Sequence, residues 1–362
     1  MKVGTLGKKE NFNDIYWDIL YRKKRDLHEE LRETFEIRFH NARRPSPDTI
    51  FKFEHISLTG GAIVNSQIKE AIGNPAFIIP SFQQIWKSPK IAGPYIPHEE
   101  TKVLSSHFLN GSCIEVDKQI TSFTFIRDPR RLLLSQLQDK KALAILEQDS
   151  SKFWRLIEKR LLQIRSHVKH ANYQLYELAT PNSEKRFPWE NEGKNPLYNL
   201  ENLKGVSPTT LMDKVNKRVS DDLAFIGVTE LFSESLVLLF ELIGISKLSL
   251  WSPGLFSFRK VTIDETPSAI VDLMGELCEA EIDFYTKIKN GIFNDIARSK
   301  NGDVISKYKA SNKKYDLRYL LSFEERLQLA SEVNGMDGER FRIEMDHSNE
   351  VVRELIKIIN SF

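Results

Sequence analysis

Arg127 and Ser135 stand eight residues apart, and both side chains suit an anion. The guanidinium is planar and permanently charged, and its paired N–H groups match two oxygens of a phosphate or sulfate. A serine two helical turns further along can add a hydroxyl. Upstream, Thr59-Gly60-Gly61 lies between an apolar run and a helical pattern. Glycines there let the backbone approach an anion, and the unpaired N–H groups of a helix start favour negative charge. The same three residues also serve a chain that simply reverses direction. His107 completes the set, because imidazole titrates nearest neutral pH and suits a general base; a hydrogen-bonded structural histidine is the plainer alternative.

The elements that must hold these residues follow from apolar spacing. Residues 121 to 138, TSFTFIRDPRRLLLSQLQ, alternate bulky and β-branched residues and then carry leucines at Leu132, Leu133, Leu134 and Leu137. This predicts a buried strand running into a helix, with Arg127, Asp128 and Pro129 at the corner. Such a corner puts the arginine at the carboxyl end of a strand, where open α/β sheets bind ligands. Strand 50 to 58, the TGG turn and a helix from Ala62 to Ile72 form an earlier unit of the same kind. A third comprises the strand LAFIGVTE from Leu223 and a helix for which Ser233 is a plausible cap. Glu230 at its corner serves either to orient a basic group or to satisfy the N–H groups of its own helix.

Short strands are expected at Phe77-Ile78-Ile79 and from Val103 to Phe108, with proline-cut loops around them. Helical spacing marks Phe12 to Phe39, residues 140 to 178, and Ser268 to Ile296. Residues 179 to 200 read as a surface loop or lid, and residues 245 to 266 as a loop carrying Arg259 and Lys260. His167 and His170 lie three apart without a third ligand near them, so no metal is assigned. The expected organisation is a helical segment over 1–48, an α/β domain over 49–300 with a central, mainly parallel sheet flanked by helices, and a charged helical extension over 301–362.

Charge is balanced, with 52 Lys plus Arg against 50 Asp plus Glu, and nothing in it argues for nucleic acid or a membrane surface. Two cysteines, Cys113 and Cys278, are too few for a disulfide framework or a cysteine metal site. No apolar run approaches the roughly 18 residues of a membrane span, and the first residues lack a signal-peptide core. A soluble cytoplasmic protein is the expectation. The amphipathic VVRELIKII stretch needs a partner face, either the domain itself or a second copy. The Walker pattern GxxxxGK[ST] is absent, which disfavours a nucleotide-dependent phosphotransferase.

Taken together, HISLTGGAIV at 55–64, SHF at 106–108, FIRDPRRLLLS at 125–135, FIGVTELFSESLVLL at 225–239 and EIDFYTKI at 281–288 resemble the sulfotransferases. The likeness is to the family-2 type, with its carbohydrate enzymes and bacterial relatives, over roughly residues 50 to 297. It implies a P-loop-like sulfotransferase fold and 3′-phosphoadenosine 5′-phosphosulfate (PAPS) as donor. By resemblance, Arg127 and Ser135 hold the 3′-phosphate, and backbone N–H groups of Thr59, Gly60, Gly61, Ala62 and Ile63 hold the 5′-phosphosulfate end. Arg259 or Lys260 would close over the nucleotide, and the acceptor would be a hydroxyl of a sugar or small metabolite.

The loop that meets the leaving group departs from the family pattern. Leu58 stands where relatives carry lysine, Ser57 replaces proline, and Ala62 and Ile63 replace threonines. Leucine cannot meet charge building on a leaving phosphate. Either Lys52, Lys87, Lys90 or Lys260 takes over, or the domain binds nucleotide without efficient transfer.

Overall fold

The computed structural model describes residues 34–39, 46, 48–56, 58–73, 76–78, 96–106, 117–138, 142, 145–146, 148–165, 172–179, 207–250 and 261–319. In chain order the strands are β1 (Phe35–Glu36), β2 (Thr49–Glu54), β3 (Phe77–Ile78), β4 (Val103–Ser106), β5 (Gln119–Ile126), β6 (Leu223–Val228) and β7 (Lys247–Leu248). The helices are α1 (Gly61–Ile72), α2 (Pro129–Leu137), α3 (Ser150–Arg165), α4 (Tyr173–Ala179) and α5 (Pro208–Asp221). They continue with α6 (Phe232–Ile243), α7 (Ser268–Leu277), α8 (Glu279–Arg298) and α9 (Gly302–Tyr319).

Five strands form a parallel sheet in the order β3-β4-β2-β5-β6, giving an α/β fold. Strand β2 (TIFKFE) buries Phe53 and Glu54 at its carboxyl end, and β5 (QITSFTFI) is buried from Ser122 to Ile126. Phe53, Phe123, Phe125 and Ile126 are fully buried, and the Phe53 and Phe123 rings stack across the β2–β5 pair at 4.9 Å. One core gathers Ile126 and Leu132 with residues of α4, α5, β6 and α8. A second gathers Leu133, Leu134 and Leu137 of α2 with apolar residues of α3 and α7. Helix α2 therefore contributes leucines to both cores, which fixes the corner before it.

The chain leaves β2 toward β3 and β4 on one side, and leaves β5 toward β6 on the other. Loops after β2 and β5 thus part in opposite directions, and the gap between them is the topological switch point of the sheet.

Several expected elements take another form. The helix expected across Phe12–Phe39 gives way at Phe35–Glu36 to a strand paired antiparallel with β7, Phe35 opposite Leu248. Pairing with β7 decides the conformation there, and Ile37 just beyond it is buried, 3% exposed. The long helix expected from Ser268 to Ile296 breaks at Cys278, whose φ of −105° and ψ of 14° separate α7 from α8. Within 140–178, α3 and α4 are separate helices. Ser233 lies inside α6, not at its cap, since a 3-10 turn over Thr229–Leu231 precedes the helix. One helix lies where none is expected: α5, entered through a Ser207 cap and Pro208 in its first turn.

The chain falls into two compact units. One comprises 35–248 and 261–305 and contains the sheet; the other comprises 1–34, 249–260 and 306–362. In the second, the Tyr308 hydroxyl donates to the Ser249 carbonyl at 2.9 Å. No helix among the described residues is long and apolar enough to cross a membrane.

Candidate anion site at the switch point

After β2 the chain turns sharply. Leu58 has φ +67°, a left-handed conformation that costs an L-residue about 1 to 2 kcal/mol, and its side chain is 43% exposed. Thr59 is fully buried and spends its hydroxyl inward on the Ile56 carbonyl at 2.8 Å, so it can offer a ligand only its backbone. Gly60 has φ +82°, and a Cβ there would lie 2.9 Å from the Phe232 ring. A Cβ on Gly61 would lie 1.9 Å from the His55 imidazole. Both glycines are thus required by backbone angle or by close packing, before any ligand is considered.

Helix α1 begins at Gly61. Ile63 and Val64 both donate their N–H to the Gly60 carbonyl, at 3.0 and 3.2 Å. The Ile63 amide is therefore spent within the turn, while no described acceptor takes the amides of Gly61 and Ala62. Among the described residues these two donors have no partner, and they lie at the positive end of the helix.

Across the gap, β5 delivers Arg127. One guanidinium nitrogen lies 3.3 Å from the Ser135 hydroxyl and 3.4 Å from the Leu58 carbonyl. The pair picked out by its spacing is a pair in space, and it reaches the glycine turn. Burial lowers the pKa of Arg127 and the neighbouring Glu230 carboxylate raises it; the balance is downward, yet guanidinium stays charged.

The corner is held by side chains from around it. Asp128 caps α2, accepting from the amides of Arg130 and Arg131 and binding the Arg130 side chain at 2.8 Å. Burial works to raise the Asp128 carboxyl, but Arg130 outweighs it and holds the group below its ordinary range. The Asp128 N–H lies 3.2 Å from each oxygen of Glu230, which also accepts from the Tyr285 hydroxyl at 3.0 Å. Both readings left open for Glu230 are thereby narrowed: it holds the Arg-Asp-Pro corner and lies near Arg127 instead of capping its own helix. Burial, and then the Glu230 charge, push the Tyr285 phenol far up. The Thr229 hydroxyl lies 3.0 Å from the carbonyls of both Thr59 and Ile126, sharing one proton between the two loops.

Sequence reasoning missed Gln174 and Glu281. Gln174 Oε1 accepts from the Arg127 N–H at 2.7 Å, and its Nε2 donates to the Arg127 carbonyl at 2.8 Å. The same Nε2 donates to Glu281 at 2.6 Å, and the Gln174 amide donates to Glu281 at 3.1 Å. Glu281 is 1% exposed, and burial lifts its pKa from 4.5 to about 7 against the pull of these hydrogen bonds. The only signal in the sequence was a pair of polar residues on faces otherwise apolar.

His107, Arg259, Lys260, Lys87, Lys90, His167 and His170 lie outside the described residues. β4 ends at Ser106, in register with Glu54. Lys52 is bound to Glu54 at 3.0 Å, and Arg218 binds the same carboxylate at 2.7 Å. Burial alone would raise the Glu54 carboxyl, but Lys52 and Arg218 outweigh it and hold the pKa low. Lys52 is therefore committed to a buried ion pair. Among the described residues no cluster of three His, Cys, Asp or Glu side chains could hold a metal ion. In comparisons with known proteins, no family model matches the chain and no curated protein matches it at a significant level.

Proposed function

We propose that the chain is a PAPS-dependent sulfotransferase, of a sulfotransferase-type, P-loop-like fold, that moves a sulfuryl group to a hydroxyl of a sugar or small metabolite. The observation that carries this reading is the meeting of the Arg127–Ser135 pair with the Leu58–Gly61 turn at the switch point of a parallel sheet. A nucleotide with phosphate at both ends needs two separated anion sites. The guanidinium with the Ser135 hydroxyl supports one, and the amides of Gly61 and Ala62 support the other. PAPS, when bound, would supply the sulfuryl group. Arg127 and Ser135 would hold its 3′-phosphate, the α1 amides its 5′ end, and His107 would take the acceptor's proton.

Leu58 favours a second reading, a sulfotransferase-like protein that binds nucleotide and transfers poorly. Its exposed aliphatic side chain sits at the turn, and Lys52 is engaged by Glu54.

Calorimetric titration with 3′-phosphoadenosine 5′-phosphate tests both readings. Binding is expected, and Arg127→Ala should weaken it about a hundredfold or more, since hydrogen bonds to charged groups are worth about 1.5 to 3 kcal/mol each. No binding at millimolar ligand overturns both readings, and an unchanged affinity in Arg127→Ala shows the residue to be misassigned. Sulfuryl release from labelled PAPS, with and without acceptor mixtures, then separates transferase from binding protein.

A further inference from the structure

We infer that Gln174 and Glu281 are positioning residues that aim the Arg127 guanidinium into the anion site, with the Glu281 carboxylate choosing the orientation of the Gln174 amide. This rests on the reading above, in which Arg127 holds the 3′-phosphate.

Arg127 lies one residue beyond the end of β5, so its N–H and C=O have left the sheet ladder. Gln174 takes both, standing in for a neighbouring strand. An amide can bracket a peptide in this way in only one of its two orientations: oxygen toward N–H, nitrogen toward C=O. Turned over, it would oppose donor to donor and acceptor to acceptor.

Glu281 decides between them. An ionised carboxylate only accepts, so the NH2 end of Gln174 must face it. The two hydrogens of Nε2 are then fully used, one on Glu281 and one on the Arg127 carbonyl, and Oε1 is left for the Arg127 N–H. The Gln174 and Leu175 amides, at 3.1 and 3.4 Å, occupy the other carboxylate oxygen. Among the described residues no lysine, arginine or histidine pairs with Glu281, so balancing a cation does not account for its burial.

Protonation would turn one acceptor of Glu281 into a donor and remove the reason for the Gln174 orientation. The groups facing Glu281 are Gln174 and Leu175 of α4 and, beside the start of its own helix, the buried Cys278 thiol, whose ionisation the Glu281 charge opposes. The site should therefore aim its arginine less well below neutral pH.

The test compares affinities for 3′-phosphoadenosine 5′-phosphate and for 5′-AMP, which lacks the phosphate assigned to Arg127. In the full chain, Gln174→Ala and Glu281→Gln should each reduce the preference for the bisphosphate about tenfold while leaving 5′-AMP affinity unchanged. A general folding defect would lower both. From pH 6 to 8.5, the preference of the wild type should fall toward acid more steeply than that of Glu281→Gln, the ligand's own titration being common to both. If Gln174→Ala fails to fold, Gln174→Met keeps the length of the side chain, lacks both the donor and the acceptor, and serves in its place. An unchanged preference in the variants, or parallel pH profiles, overturns the inference. A wild type that binds the two ligands equally overturns instead the assignment of Arg127 to the 3′-phosphate.

Discussion

Glu281→Gln should change how stability depends on pH, and the size of the change follows from burial. In the unfolded chain the carboxyl has its ordinary pKa of 4.5, while in the fold it rises to about 7. Between those values the folded state keeps a proton that the unfolded state has released, so stability falls as pH rises. At about 1.4 kcal/mol per pH unit, the full cost is about 3 kcal/mol, present above neutral pH and absent below the unfolded value. Glutamine carries no such cost at any pH. Urea denaturation of both proteins at intervals from pH 5 to 8.5 gives two curves, and their difference removes every other titrating group, provided unfolding is two-state. The variant should gain about 3 kcal/mol on the wild type across that range. Parallel curves would refute the reasoning, since the carboxyl would then be ionised throughout or solvated in a way its burial does not allow.

Leu58→Lys should raise sulfuryl transfer roughly a hundred- to a thousandfold, the worth of one electrostatic donor at a developing charge, measured with labelled PAPS. No gain would argue that another cation already serves the leaving group or that the chain does not transfer. Gly61→Ala should destabilise by about 1 to 3 kcal/mol in denaturant titration, because a Cβ would collide with His55. His55→Ala in the same chain should relieve much of that cost, and additive losses would place the strain elsewhere.

Three strand-to-helix units were legible because each couples a buried apolar run to a polar corner residue and a helical pattern, as at Phe125-Ile126-Arg127. The Arg127–Ser135 pair was legible for a similar reason, since eight residues across a corner are few enough for spacing to constrain distance. The bracket of Gln174 and Glu281 on Arg127 was not, because its members are 47 and 107 residues apart in the chain and meet only through packing of α4 and α8. Phe35–Glu36 was misread because a two-residue strand carries no periodicity of its own and is defined by β7. The break at Cys278 was hidden by helical spacing that continues through it. The role of Glu230 was open in the sequence, since its main contact is a backbone N–H 102 residues away.

The Thr229 hydroxyl, shared between the carbonyls of Thr59 and Ile126, ties the backbone behind the glycine turn to the backbone behind the arginine. A gap fastened in this way works as a gauge. On the proposed reading, jaws tied in this way would hold a set spacing, and a guest would need to bring two charges already spaced to match. Selectivity would then follow length before chemistry, with a bisphosphate of the wrong span rejected even if each end alone were welcome.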